Sequence, residues 1–297
     1  VLVKPSSRDS RTPGLIARCL ADIDSELGQC MEVVSFPSTN QKAMSLFLSS
    51  PCVMASGSDE TIFQIQNQLS PSQCFVGYGH KFSVAVVHSS SLRQAHDLDK
   101  ISHALSIDIA LWDQLGCLSP AAIYVLGEDA DTNGLLLLDA LSKQMAERAT
   151  QWPRGEATDQ ARADIRRGRD EAEMRAGVSG GPKLRHSEAS DWTVIAETDS
   201  QWRPTPLHRF IRLYPVRDAV ALSLTLQPLS PHLSSVAMAG FEPGSHDERG
   251  LIARFRELGF SRVCGPGRLQ APPLSWRHDG RALLEPLTRS LEIDPLH

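Results

Sequence analysis

Short β-rich runs alternating with helical patterns constrain this chain more than any other feature. Val1–Val3 reads as a buried strand, followed by the polar turn Lys4–Ser7 and an apolar-periodic stretch, Leu15–Asp24, opened by Thr12 and Pro13. Proline suits a helix start because its φ is preset and its missing amide is not needed there. Met31–Phe36, Cys52–Ala55, Phe75–Tyr78, Phe82–His88 and Ala121–Leu126 read as further strands. Helical patterns over Lys42–Leu48, Asp59–Leu69, Lys100–Leu115 and Thr132–Arg148 lie between and after them. This alternation predicts an α/β fold: a parallel sheet with crossover helices. Downstream, Trp192–Glu197, Phe210–Val216, Val236–Ala239 and Arg262–Cys264 read as strands, and Glu248–Leu258 and Leu283–Leu291 as helices. The charged stretch Ala157–Arg175 reads as a solvated helix.

The 297 residues suffice for two domains. A boundary near residues 100–110 divides them into 1–107 and 108–297. A net charge of -5 gives no electrostatic case for nucleic acid or an anionic membrane as partner. Cys19, Cys30, Cys52, Cys74, Cys117 and Cys264 include no C-x-x-C pair. No metal site is expected, and reduced thiols in a cytoplasmic protein fit best. No apolar run reaches the roughly 18 to 20 residues of a membrane span, and no secretory signal opens the chain. The start at Val1, already in a strand, predicts a fragment of a longer protein.

Asp108–Pro120 carries the candidate chemistry. An apolar helical run leads through Trp112, Asp113 and Gln114 to Gly116 and Cys117, and Pro120 stops any helix. A thiol at a helix-to-loop junction meets backbone amides that lower its pKa and stabilise an oxyanion. The alternative is a small buried hydrophobe, the usual fate of a cysteine outside a disulfide.

Several motifs together resemble the aldehyde dehydrogenase superfamily. Val1–Ser6 resembles its strand ending in Lys-Pro-Ser, and Ala55–Ser58 its Thr-Gly-Ser element. Gly77–Lys81 resembles Glu-Leu-Gly-Gly-Lys, and Gln114–Cys117 the Gly-Gln-x-Cys nucleophile. Within the superfamily, Trp112–Pro120, Ser261–Arg268 and Trp276–Gly280 are similar to acyl-CoA reductases of the bioluminescence fatty-acid reductase type. The resemblance implies an aldehyde dehydrogenase-like fold: a partial Rossmann-like cofactor domain at 1–107 and an α/β catalytic domain at 108–297. It also implies that the first half of the cofactor domain, with an oxyanion-binding asparagine, is lacking.

By the same resemblance Cys117 is the nucleophile, attacking an acyl-CoA or other acyl thioester, and hydride from NADPH releases the aldehyde. Lys4, Ser6, Ser7, Gly57 and Ser58 are the implied cofactor contacts. Ser7 stands where many relatives carry a ribose-binding glutamate, which favours NADPH over NADH without excluding NADH. A surface turn at Lys4 and a capped helix start at Gly57–Ser58 explain the same residues structurally. Gly77 stands where acid-forming relatives carry a general-base glutamate. An acyl-transferring or synthetase partner and a homo-oligomer are also implied. Two alternatives stay open: an NAD(P)-dependent dehydrogenase oxidising aldehyde to acid, and a non-catalytic fragment or binding subunit.

Gly177–Gly181 fits G-x-S-x-G but lacks the preceding strand of a nucleophile elbow. Arg162, Arg166, Arg167 and Arg169 suit either coenzyme A phosphates or a solvated helix face. His278 and Asp279 suit either a proton-transfer pair or a turn.

Overall fold

Alternation of strand and helix produces the expected α/β architecture in a computed structural model, which describes residues 1–6, 9, 11–288 and 291. The chain divides into two units, Val1–Tyr78 and Gly79–His297. The division lies upstream of the 107/108 boundary read from the sequence. Strand Phe82–His88 and helix Ala95–Ala110 are built into the second unit's core, which moves the break earlier.

The first unit runs β1 (Leu2–Val3), α1 (Thr12–Ile23), α2 (Ser25–Gln29), β2 (Glu32–Val33), α3 (Gln41–Phe47), β3 (Cys52–Ser56), α4 (Asp59–Gln66) and β4 (Cys74–Tyr78). β1 pairs with β2 and β3 with β4, both parallel, as crossover helices require. Polar side chains start the helices. The Asp9 carboxylate accepts from the amides of Arg11 and Thr12, which hold it below the usual carboxylate range. Asp24, Asn40 and Ser58 cap α2, α3 and α4 in the same way. The expectation of a buried first strand is corrected: Val1 is 88% and Leu2 43% exposed. A two-stranded sheet leaves β1 as an edge, with one neighbour to cover it.

The second unit runs β5 (Phe82–His88), α5 (Ala95–Ala110), β6 (Pro120–Leu126), α6 (Ala130–Gln151), α7 (Asp159–Ala176), β7 (Lys183–His186), β8 (Thr193–Ala196), β9 (Phe210–Val216), α8 (Ala219–Leu226), β10 (Leu233–Ala239), α9 (His246–Glu257) and β11 (Arg262–Cys264). Its sheet has the order β11-β10-β5-β6-β9-β8-β7, parallel except for the β7–β8 hairpin. β5 and β6 are central and nearly continuous apolar runs, because a parallel sheet is covered on both faces. Leu105 and Ile109 of α5 pack with Leu137, Leu141 and Met145 of α6 in one core. Leu222, Leu226, Leu251 and Phe255 of α8 and α9 pack with β-strand residues in the other. Each such fully buried side chain contributes about 1.5–3 kcal/mol.

Three further expectations are corrected. Lys100–Leu115 is not one helix: α5 ends at Ala110, and a kinked 3-10 turn, Leu111–Gln114, follows. The helix expected over Leu283–Leu291 is a 3-10 turn at Glu285–Leu287, with 289 and 290 outside the described residues. The arginine helix is not solvated throughout. Arg162 and Arg167 make exposed pairs with Asp159 and Asp164, but Arg169 is buried. It donates to Thr193 Oγ1 and to the carbonyls of Ser187 and Trp192, tying α7 to β8. Among the described residues no helix is long and apolar enough to cross a membrane, and no three or more His, Cys, Asp or Glu side chains form a metal-binding group.

Candidate active site

The cysteine loop joins α5 to β6 through backbone that side chains rarely adopt. Trp112, Asp113 and Gln114 have φ of 56°, 51° and 65°. Left-handed residues other than glycine cost on the order of 1–3 kcal/mol each, so surrounding contacts must enforce them. Gln114 does so from a buried position: its amide donates to the Pro120 carbonyl (2.8 Å), and its Oε1 accepts from the Phe210 amide (2.8 Å). Asp113 accepts from the Gly155 amide at 2.9 Å and pairs with Arg209 at 2.6 Å. Arg209 ends a second left-handed triplet, Leu207, His208 and Arg209, with φ of 60°, 56° and 64°.

Cys117 follows this turn as an exposed thiol. It stands at a turn-to-strand junction rather than the expected helix-to-loop junction. Its carbonyl accepts from Ser83 Oγ at 2.9 Å, and the Ser119 amide closes the turn onto the Gly116 carbonyl. The expected lowering of its pKa is corrected in sign. Surrounding protein desolvates the sulfur and pushes the thiol up, and the Asp279 charge adds to this. The backbone amides of Cys117 and Leu118 oppose the shift without reversing it.

Asp279 lies in a turn closed by Gly280 N–H to Arg277 O and Arg281 N–H to His278 O. The turn reading of this segment thus describes its backbone, while Asp279 contributes charge. Asp108, fully buried at the end of α5, accepts from the amides of Gly267 (2.6 Å) and Leu269 (3.1 Å). It thereby fastens the Gly265–Arg268 turn, where Gly267 has φ 76° and Ala104 leaves little room for a side chain. Burial raises the Asp108 pKa to about 6 against these hydrogen bonds. The sequence reading missed Asp108, though a carboxylate between Ile107, Ile109 and Ala110 signals a buried partner.

The remaining implied site residues lie in the first unit. Lys4 Nζ donates to Ser38 Oγ at 3.2 Å and stands over the Phe36 ring. Ser6 shares the same turn, its carbonyl accepting from the Asp9 amide. Ser7 lies outside the described residues. Gly57 and Ser58 form a different turn, between β3 and α4, where the Ser58 hydroxyl caps the Thr61 amide. Both turns follow the carboxyl ends of parallel strands, where α/β folds bind nucleotides. The Lys4 ammonium suits a ribose or phosphate. The start of α4 suits a phosphate less well, because Asp59 and Glu60 already bring negative charge to its first turn.

Two other features stand apart from Cys117. Gly177–Gly181 follows α7, with no strand before it, as its rejection as a nucleophile elbow requires. A cavity of about 340 Å³ lies towards the carboxyl ends of the central strands, lined by Val125, Leu213, Pro215 and Glu197 among others. Cys117 precedes the first residue of β6, at the opposite end of that strand.

Solved structures share this architecture. The aldehyde dehydrogenase KauB from Pseudomonas aeruginosa superposes with a TM-score of 0.62 at 16% identity, over 90% of this chain and 54% of that one. The P. syringae indole-3-acetaldehyde dehydrogenase AldA, solved with NAD+, gives 0.65 at 14%, over 94% and 57%. The fold is therefore aldehyde dehydrogenase-like. A long-chain acyl-protein thioester reductase of Aliivibrio fischeri is 21% identical over 73% of this chain and 43% of its own length. Long-chain acyl-protein thioester reductase 2 of Photobacterium leiognathi is 22% identical over 97% and 56%. The chain spans about half the length of the curated relatives it matches. The profile of the family described as Acyl-CoA reductase (LuxC) matches residues 1–290, and the chain belongs to that family.

Proposed function

We propose that the intact protein reduces a fatty acyl thioester, acyl-CoA or acyl-protein, to the aldehyde through an acyl-cysteine at Cys117, with NADPH as reductant. The observation that carries this reading is an exposed thiol on a turn pinned by Gln114, next to the Cys117 and Leu118 amides. The names of the curated relatives support the thioester as substrate.

Cys117 must first lose its proton, because the thiolate is the nucleophile. Sγ then bonds to the carbonyl carbon, the original carbon–sulfur bond breaks, and the departing thiolate takes up a proton. Amides close to Sγ are positioned to stabilise charge on the carbonyl oxygen during attack. Lys4, Ser6, Ser7, Gly57 and Ser58 are the proposed cofactor contacts, with Lys4 the best suited by charge. When bound, a reduced nicotinamide supplies the hydride that converts the acyl group to the aldehyde. An acyl-transferring or synthetase partner, self-association and a cytoplasmic setting are proposed with it.

Incubation of the intact protein with labelled acyl-CoA tests it. A hydroxylamine-sensitive label is expected without NADPH and aldehyde with it, and Cys117→Ala should abolish both. Label that survives Cys117→Ala but disappears in Cys264→Ala would overturn the assignment.

A further inference from the structure

We infer that Cys52 and Cys74 form a second thiol site, a cross-strand dithiol that a small disulfide or a peroxide converts to an intrachain disulfide. The inference is independent of the role assigned to Cys117. The two cysteines are 22 positions apart in sequence, with no motif to link them. The fold makes them direct partners: they open β3 and β4, and Cys52 pairs with Cys74 in the parallel register. Directly opposed residues in a parallel ladder send their side chains to the same face. The two side chains are within hydrogen-bonding reach of one another. Both residues are partly exposed thiols, so an oxidant can reach them.

Strand geometry also sets the character of the bond. Neighbouring strands lie about 4.8 Å apart, inside the roughly 4.4–6.8 Å Cα separation that disulfides span. Their β-carbons must nevertheless close to about 3.5–4.5 Å, which draws the strands together at that point. A bond formed under such strain is oxidising and easily reopened. Cys52 and Cys74 are the first residues of their strands, where the ladder can yield without disturbing the following pairs. Closure would tie together the base of the strand–helix–strand segment that carries Gly57 and Ser58.

With oxidised glutathione as oxidant the chemistry balances. One thiol of the pair loses its proton, and the resulting thiolate attacks a glutathione sulfur, breaking the S–S bond and expelling glutathione thiolate. The second protein thiolate attacks the mixed disulfide and expels the second glutathione. Two protein thiols are oxidised, one glutathione disulfide is reduced to two thiols, and the protons pass to the departing sulfurs. With hydrogen peroxide the same two-electron oxidation yields two waters.

The test is oxidation of the intact protein with oxidised glutathione, followed by alkylation and non-reducing peptide mapping. A peptide pair linking Cys52 to Cys74, 2 Da lighter than the sum of its thiol forms, is expected in most molecules. Reduced glutathione should reopen it. Cys52→Ser and Cys74→Ser should each abolish the cross-link and leave a mixed disulfide with glutathione on the remaining cysteine. Exposed Cys19 and Cys30 serve as internal references. Alkylatable Cys52 and Cys74 after those references have been glutathionylated would overturn the inference. So would a stable mixed disulfide at either position in the unmodified protein.

Discussion

Asp113 and Arg209 join two left-handed turns through an ion pair of 2.6 Å. Each turn is costly alone, and the pair is part of what holds both in place. Arg209 is only 2% exposed and also donates to the Trp152 carbonyl at 2.9 Å. Its charge is therefore affordable only while Asp113 faces it.

Removing one partner should expose that dependence. Arg209→Ala leaves Asp113 facing an unpaired position and should cost about 3–5 kcal/mol in urea unfolding, as buried pairs do when broken. Acylation of Cys117 should fall with it. Arg209→Lys should rescue only part of the loss, since one ammonium cannot match a guanidinium that reaches Asp113 and Trp152 with different nitrogens. Equal stability of all three proteins would show that the turns are held by other contacts.

Asp279 offers a test with the opposite sign. Its charge helps to keep the Cys117 thiol protonated, so acylation should rise with pH until the thiol ionises above its ordinary range. Asp279→Asn removes that charge while keeping a residue that tolerates the left-handed backbone at φ 50°. The ascending limb of the acylation rate should move to lower pH, and the rate at neutral pH should increase. A limb shifted to higher pH would mean that Asp279 assists deprotonation.

Local pattern carried most of the strand assignments and little of the site's geometry. Phe82–His88 and Phe210–Val216 are read at their observed bounds because mainly apolar runs are what a covered parallel sheet demands. Lys183–His186 escapes the reading: it is a polar edge strand defined by its pairing with β8. Ala219–Leu226, a short apolar helix, is likewise absent from it. The single helix expected over Lys100–Leu115 fails for a tertiary reason. Gln114 and Asp113 bond to residues as distant in sequence as Phe210 and Arg209, and those contacts override helical propensity. Cys117 is legible as a candidate because of its neighbours in sequence. The rise in its pKa is not, because it comes first from desolvation by the folded protein and then from Asp279, which arrives from the far end of the chain.

Asp108 should leave a signature in stability against pH. Its folded pKa of about 6 lies above the roughly 3.9 of an unfolded chain. The folded state therefore binds this proton more tightly, so the group adds stability as pH falls through about 6 towards 4. Across that span the gain is about 3 kcal/mol. Asp108→Asn should remove this component, and should lower stability where Asp108 is protonated, because its NH2 group faces one of the two backbone N–H donors that a carboxyl oxygen accepts from. Urea midpoints between pH 4.5 and 7.5 measure both effects; an unchanged pH slope in Asp108→Asn would exclude Asp108 as the source.

Under the proposed function, the direction of chemistry rests on Gly77, which the resemblance aligns with the general-base glutamate of acid-forming relatives. A carboxylate there would activate water against the acyl-cysteine, and general bases contribute about 10²–10⁴-fold. Glycine cannot, so fatty acid should leave the acylated protein slowly without NADPH. The structure changes how this is tested. A β-carbon on residue 77 would stand 2.8 Å from Ile62 Cγ2 and 2.9 Å from Phe75 Cε1, both closer than van der Waals contact. Gly77→Glu therefore confounds catalysis with overpacking, which typically costs about 1–3 kcal/mol. Gly77→Ala measures that steric cost alone, and Ile62→Ala in the same chain should recover part of it by removing the nearest methyl. Gly77→Glu with Ile62→Ala then isolates the carboxylate. Faster acid release than from Gly77→Ala with Ile62→Ala is the expected result. Rapid acid release from the unmodified acyl-protein would instead favour oxidation of aldehyde to acid as the physiological direction.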